Sequence, residues 1–249
     1  MVRTKARAAL LSDWMSGRFG KEVQVDVAPD YAALERAIDL SSVDLAWAPP
    51  AICARVYDVA RFVLKAVRNG RSSYCSALVG RATTLPTLAS LGGLRAAWVD
   101  PLSTGGHLLA VAHLRAAGIE PATTFAEERF LGSYRDALIA VAHGSADVTA
   151  VFTRIEEPVR WARTEMADLV GPAGDALSPF AITGEAPHDG LVLTRGLGHA
   201  EAEKLAAALL GLEHHASAPT MLLEVCNAQS FVPASPHDYR HLDPRLLAA

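Results

Sequence analysis

Cysteine is scarce in this 249-residue chain, and what there is forms no framework. Cys53, Cys75 and Cys226 are three in number and far apart. They match neither a CxxC pair nor a zinc spacing, so they read as small buried residues and fit a reducing compartment. Long apolar runs are missing too. No stretch approaches the ~18 apolar residues that span a bilayer. The basic N-terminus, Met1 to Arg7, is followed only by Ala8-Ala9-Leu10-Leu11 before Ser12 and Asp13 break the apolar character. That is too short for a secretory core, so the chain as written is expected to be cytoplasmic, or periplasmic or lipid-anchored if a signal has been removed. There is no excess of positive charge: the net charge is -4, which leaves no electrostatic footprint for nucleic acid. P-loop and HExxH patterns are absent, as are internal repeats and a low-complexity linker. No cofactor is expected.

What is present is a large apolar fraction, 51%, arranged in alternating short segments. Residues 4–16 have Leu10, Leu11, Trp14 and Met15 on one helical face. Glu22 to Val27 alternates as a half-buried strand does. Asp30 is placed to cap a helix carrying Tyr31, Leu34 and Ile38 inward. Further strands are expected at 43–47, 75–79, 95–99, 146–152 and 190–194, and helices at 105–117, 134–143 and 199–212. Gly118 and Gly144 stand where a helix exits. Strand–helix alternation of this kind predicts an α/β chain with parallel sheets, helices on both faces and ligands at the carboxyl ends of strands.

One segment concentrates the chemistry: Trp98-Val99-Asp100-Pro101-Leu102-Ser103-Thr104-Gly105-Gly106-His107-Leu108. A strand ends, Pro101 turns the chain, and two hydroxyls and two glycines precede an apolar-faced helix. The first N–H groups of a helix lack internal partners, and the dipole puts about half a positive charge there. Gly105 and Gly106 let a ligand reach the backbone, and Ser103 and Thr104 add hydroxyl donors, which suits a phosphate-like or carboxylate group. An ordinary capped helix start would look the same. A second loop, Phe130-Leu131-Gly132-Ser133-Tyr134-Arg135, has a related build, with Ser133 as N-cap and Tyr134 or Arg135 within reach of a ligand, against a plain capped helix with Arg135 solvated, the reading preferred for Arg135. Asp147, at a helix–strand junction, could hold an ammonium group or be a plain turn carboxylate. Trp47 and Tyr74 are candidate aromatic walls, against a core reading. His237 and His241 stand four apart near Asp238 and Asp243, a metal-ligand spacing. A surface helix is the plainer reading, as it is for His214-His215, and no metal site is expected.

These loops, taken in order, resemble the phosphate/phosphite/phosphonate-binding subunits of ABC importers. Asp100 to Gly106 stands where those proteins carry "DPxSTSG", and Gly132-Ser133-Tyr134 where they carry "GSH". Gly144 to Asp147 corresponds to "GxVD", and Phe231-Val232-Pro233 and Asp238-Tyr239 to a C-terminal "FxP" and "DY". Val43 to Ala51 resembles a segment lining the first lobe, and Tyr74-Cys75-Ser76 the strand that crosses between lobes. The histidine of "GSH" is Tyr134 here, and the third hydroxyl of "STSG" is Gly105. The resemblance spans roughly residues 22–245. It implies the type 2 periplasmic-binding-protein fold: two α/β lobes, residues 1–75 plus 193–249 and residues 76–192, with the ligand cleft between them and the first strand short or missing.

The resemblance implies a binding protein for a small anion, phosphonate-, phosphate- or carboxylate-like, held by Ser103, Thr104, Gly105 and Gly106 with Ser133, Tyr134, Asp147, Trp47 and Tyr74 around it. An ABC permease or another intracellular protein is the partner it implies. Two other functions stay open: an enzyme or biosynthetic accessory on the same fold, for which His107, Asp147 and Tyr134 are the acid/base candidates, and a sensor with a vestigial cleft.

Overall fold

The computed structural model describes residues 2–212 and 225–242. His214, His215 and Asp243 lie outside them, as does the side chain of His241. The chain divides into two compact units, Met1–Ser72 with His188–Ala249, and Ser73–Pro187.

The first unit opens with α1 (Val2–Phe19), α2 (Tyr31–Asp39), β1 (Leu45–Ala48), α3 (Pro50–Val56) and β2 (Phe62–Val67). Asp30 caps α2 as expected, its carboxylate accepting the Ala33 N–H at 2.7 Å. Glu22 to Val27 is not a strand. The alternation is real, since Val23 and Val25 are half-buried between exposed neighbours. Instead of a neighbouring strand, Ser16 Oγ accepts the Val23 N–H at 2.8 Å and Ser12 donates to its carbonyl.

The second unit holds β3 (Ser73–Arg81), β4 (Arg95–Trp98), a helical turn at Thr104–Leu108 continuing into α4 (Leu109–Ala116), α5 (Pro121–Thr124), β5 (Glu127–Phe130), α6 (Tyr134–Ala142), β6 (Val148–Thr153), α7 (Pro158–Val170), β7 (Leu177–Ile182) and β8 (Ala186–Pro187). The chain then returns to the first unit as β9 (Gly190–Leu193), α8 (His199–Leu210) and β10 (Ser230–Pro233). Gly118 and Gly144, just past α4 and α6, both take φ +77°, a left-handed exit that favours glycine.

Neither sheet is parallel throughout, which corrects the expectation of parallel ones. The first unit's sheet, β1-β9-β2-β10, is antiparallel throughout. In the second unit the order is β5-β4-β6-β3-β7, with β8 beside β3. Only β5-β4-β6 run parallel; β3 runs against both β6 and β7. The reason is β3 itself. It carries the chain in and lies inside the sheet, between β6 and β7, opposed to the strand–helix units that follow.

Both faces of that sheet are covered, so β3 and β6 are buried almost without a break. Side chains alternate between faces. Ala77, Val79 and Val151 join Leu138, Val141 and Met166 in one core, while Leu78 and Ala150 join Trp98, Leu91 and Leu114 in another. The first unit's core gathers Leu64, Leu191, Leu193, Ala202, Leu209 and Phe231. Among the described residues no helix is long and apolar enough to cross a membrane.

Candidate functional site: a helix start at the ends of parallel strands

β4 ends at Trp98, and the chain then folds tightly on itself. Asp100 Oδ1 accepts the Leu102 N–H at 2.7 Å and the Asp100 carbonyl accepts the Ser103 N–H at 3.0 Å. The His107 ring donates from Nδ1 to the Pro101 carbonyl at 2.9 Å. Its ring also stands edge-on to Phe130 (centroids 5.0 Å) and tilted against Trp98 (5.6 Å). The first helical turn is a π turn: the Leu108 N–H reaches back five residues to the Ser103 carbonyl at 3.0 Å. Such wide turns are frequent at functional sites. The N–H groups of Thr104, Gly105 and Gly106 precede this first main-chain bond. Ser103 takes one of them, its Oγ accepting the Gly106 N–H at 3.2 Å. Ser103 and Thr104 are each only 2% exposed.

The second loop is strapped to the first. Leu131 and Gly132 N–H groups donate to the carbonyls of Trp98 and Val99 at 2.9 and 2.8 Å. This strapping sets the start of α6 beside the start of the α4 helix. Ser133 is the α6 cap: its Oγ accepts the Asp136 N–H at 3.1 Å and its hydroxyl donates to Asp136 Oδ2 at 2.6 Å. Both functions of that hydroxyl are therefore used within its own helix. Tyr134 turns the other way. Its ring meets Phe152 edge-on at 5.1 Å, and its hydroxyl lies over Gly105. A Cβ at Gly105 would sit 2.7 Å from Tyr134 Oη, 3.1 Å from Tyr74 Cε2 and 3.2 Å from Ser76 Oγ. Ser103, Thr104, Gly105, Gly106, Tyr134 and Tyr74 thus belong to one neighbourhood of the second unit.

One of the expected residues, Asp147, does not join it. Asp147 precedes β6, level with the start of β4, whereas the helix start follows the end of β4. Its carboxylate is bound at both oxygens by Arg95, Nε–Oδ2 at 2.9 Å and Nη2–Oδ1 at 3.0 Å, and it also accepts the Arg95 N–H at 3.0 Å. The Arg95 hydrogen bonds hold its pKa below the ordinary carboxylate value. Asp147 is a pin between two strand starts rather than a partner of the hydroxyls. Trp47 belongs to the first unit, in β1, where its ring meets Phe231 edge-on at 6.1 Å and lies under the Arg68 guanidinium at 5.8 Å. Arg135 donates to the Leu169 carbonyl at 2.9 Å, closing the end of α7. Among the described residues no group of His, Cys, Asp and Glu is placed to hold a metal.

Sequence reasoning placed Ser76 in a strand but did not single it out as a neighbour of Gly105, from whose Cβ position its Oγ stands 3.2 Å. Its one signal is a hydroxyl residue inside the apolar run Cys75-Ser76-Ala77-Leu78-Val79.

The order of these features along the chain is that of a known family: residues 2–239 match the model for the periplasmic substrate-binding proteins of phosphonate ABC transporters. The chain belongs to this family. Solved structures carry the same fold. A binding protein component of an ABC phosphonate transporter from Pseudomonas aeruginosa is 21% identical over 93% of this chain and 77% of its own, with a TM-score of 0.76. PhnD1 from Prochlorococcus marinus (MIT 9301), solved in complex with methylphosphonate, is 21% identical over 98% of this chain and 93% of its own, TM-score 0.79. XAC2383 from Xanthomonas citri, solved with chloride ion, is 19% identical over 98% and 91%, TM-score 0.80. At these identities the likeness is one of fold, the two-lobed α/β type 2 periplasmic-binding-protein fold. This phosphonate-family chain differs from the pattern described above at Gly105 and Tyr134, and the two positions touch each other.

Proposed function

We propose that this member of the phosphonate-binding family receives a small oxyanion, a phosphonate or a close phosphate relative, at the helix start Ser103–Gly106 and presents it to an ABC permease. The observation that carries the reading is the helix start itself: two hydroxyl residues, each 2% exposed, on a turn whose first N–H groups precede the helical ladder. Helix starts of this build bind anions through main-chain donors and the dipole together. In this reading Thr104, the Ser103 hydroxyl proton and the Gly105 N–H take the oxyanion, and Tyr74 and Tyr134 bound it. Ser133 and Asp147 take no part, since their polar atoms are committed elsewhere. The compartment in this reading is the family's, periplasmic, and fractionation of the native gene product tests it.

Binding is measured by calorimetric titration of the wild type and of Ser103→Ala/Thr104→Ala with methylphosphonate and inorganic phosphate. Hydrogen bonds to a charged group are worth about 1.5–3 kcal/mol each. Losing two hydroxyls while keeping the main-chain donors is expected to weaken binding ~10- to 1000-fold, at ~1.4 kcal/mol per tenfold. Stability should fall by only about 1 kcal/mol, the loss of one cap. A double variant that binds as tightly as the wild type removes the site from this loop.

A further inference from the structure

One hydroxyl at the helix start is explained by neither capping nor the sheet. Ser76 lies in β3, is 0% exposed, and its Oγ has no hydrogen-bond partner among the described residues. Its main-chain groups are both used, the N–H donating to Thr183 Oγ1 and the carbonyl accepting the Thr183 N–H, each at 2.9 Å. The side-chain hydroxyl alone is left over, and a buried hydroxyl is ordinarily paired. Its position relates it to the anion site. Ser76 Oγ, Tyr134 Oη and the Tyr74 ring edge converge on one point beside the Gly105 Cα, at 3.2, 2.7 and 3.1 Å. Three side chains from β3 and α6 therefore meet at Gly105, a residue of the helix start that has no side chain of its own. Anything larger than glycine there would displace them, so the main chain at 105 stays bare.

We infer that Ser76 is a further ligand-binding residue, its hydroxyl donating to the oxyanion that enters at Gly105; this rests on the helix-start reading proposed above. Ser76 differs from the other donors in having no second task. Ser103 caps the helix, whereas the Ser76 hydroxyl is satisfied only when a ligand arrives. A group kept in this way is a liability in the empty protein and an asset in the loaded one. Removing it therefore has opposite signs on the two states, which a merely structural serine would not show.

The test compares the wild type, Ser76→Ala and Ser103→Ala/Thr104→Ala by titration with methylphosphonate and inorganic phosphate, and by urea unfolding without either anion. Ser76→Ala is expected to bind the better of the two anions about tenfold more weakly, yet to unfold at the same or a higher urea concentration. If the double variant loses binding and Ser76→Ala keeps it within twofold, the inference about Ser76 fails and the helix-start reading stands. If the wild type binds neither anion, or the double variant binds as the wild type does, that reading fails and takes the inference with it. A Ser76→Ala protein that fails to fold, or unfolds more easily without anion, shows that the hydroxyl has a structural partner and overturns the inference by itself.

Discussion

The hydroxyls around the helix start differ in what else they do, and this sets what each can give a ligand. Ser133 is consumed by its own helix, Ser103 caps while keeping a proton to donate, and the Ser76 hydroxyl has no partner among the described residues. The glycines differ in the same way. A Cβ at Gly106 would lie 2.3 Å from Val99 Cγ2 and 2.7 Å from Val99 Cβ, so this glycine is required by the packing of the helix on β4. Gly106→Ala should destabilise by about 1–3 kcal/mol, the usual range for forced overpacking. Gly92→Ala, where a Cβ meets nothing within 4 Å, serves as the control in the same urea titration. Equal midpoints for the two variants would show that Val99 moves aside at no cost. Residues whose role is local were legible in the amino-acid order: Asp30, Ser103 and Ser133 each cap a helix as their positions imply. Ser76 and Asp147 were not, because the meaning of each is set by residues far along the chain. Ser76 is defined by Gly105 and Tyr134, and Asp147 by Arg95.

At the scale of elements, the Arg95–Asp147 pair ties the start of β4 to the start of β6, and with it the two parallel strands that lead to the helix start and to Thr153. The Arg95 hydrogen bond is the main cause of the low Asp147 pKa, with desolvation opposing it. A carboxyl depressed in the folded state contributes stability above its unfolded value, about 3.9, and loses it as pH falls through the lower folded value. Asp147→Asn should therefore unfold at lower urea than the wild type at pH 7, and the difference should shrink toward zero as the pH drops below about 4. A gap that persists unchanged at pH 3 would mean that the side chain acts by shape and not by charge. In the second unit α4 and α6 and the strands β3, β4 and β6 were readable from periodicity, since each is a short apolar run between turn residues, whereas α7 and β7 were not singled out. The direction of β3 was not, because nothing in Tyr74 to Val79 says which neighbour it will oppose. The segment from Glu22 to Val27 shows the converse: alternation marks a face to bury but makes no strand without an edge to join, and here Ser12 and Ser16 take that edge's place.

At the scale of the whole molecule, the chain order separates the two units unequally. The first is assembled from both ends of the sequence, whereas the second is one uninterrupted stretch, Ser73–Pro187. All five strands of its main sheet and both of its cores come from within that stretch. Its two ends are already neighbours: Ser73 is paired with Pro187 and Tyr74 with Ala186 in antiparallel register. Cutting at Ser72 and His188 therefore leaves no strand of the second unit without its partner and frees no long tail. Its size, on the order of 100 residues, is also that of an ordinary autonomous domain. The fragment Ser73–Pro187 is accordingly expected to fold alone, with one cooperative urea transition and dispersed amide resonances. The corresponding first-unit pieces, Met1–Ser72 and His188–Ala249, should do so only when mixed, because β9 lies between β1 and β2 and β10 pairs with β2. A broad, non-cooperative transition of the second-unit fragment, with exposed apolar surface detected by dye binding, would show that its stability is borrowed from the rest of the chain.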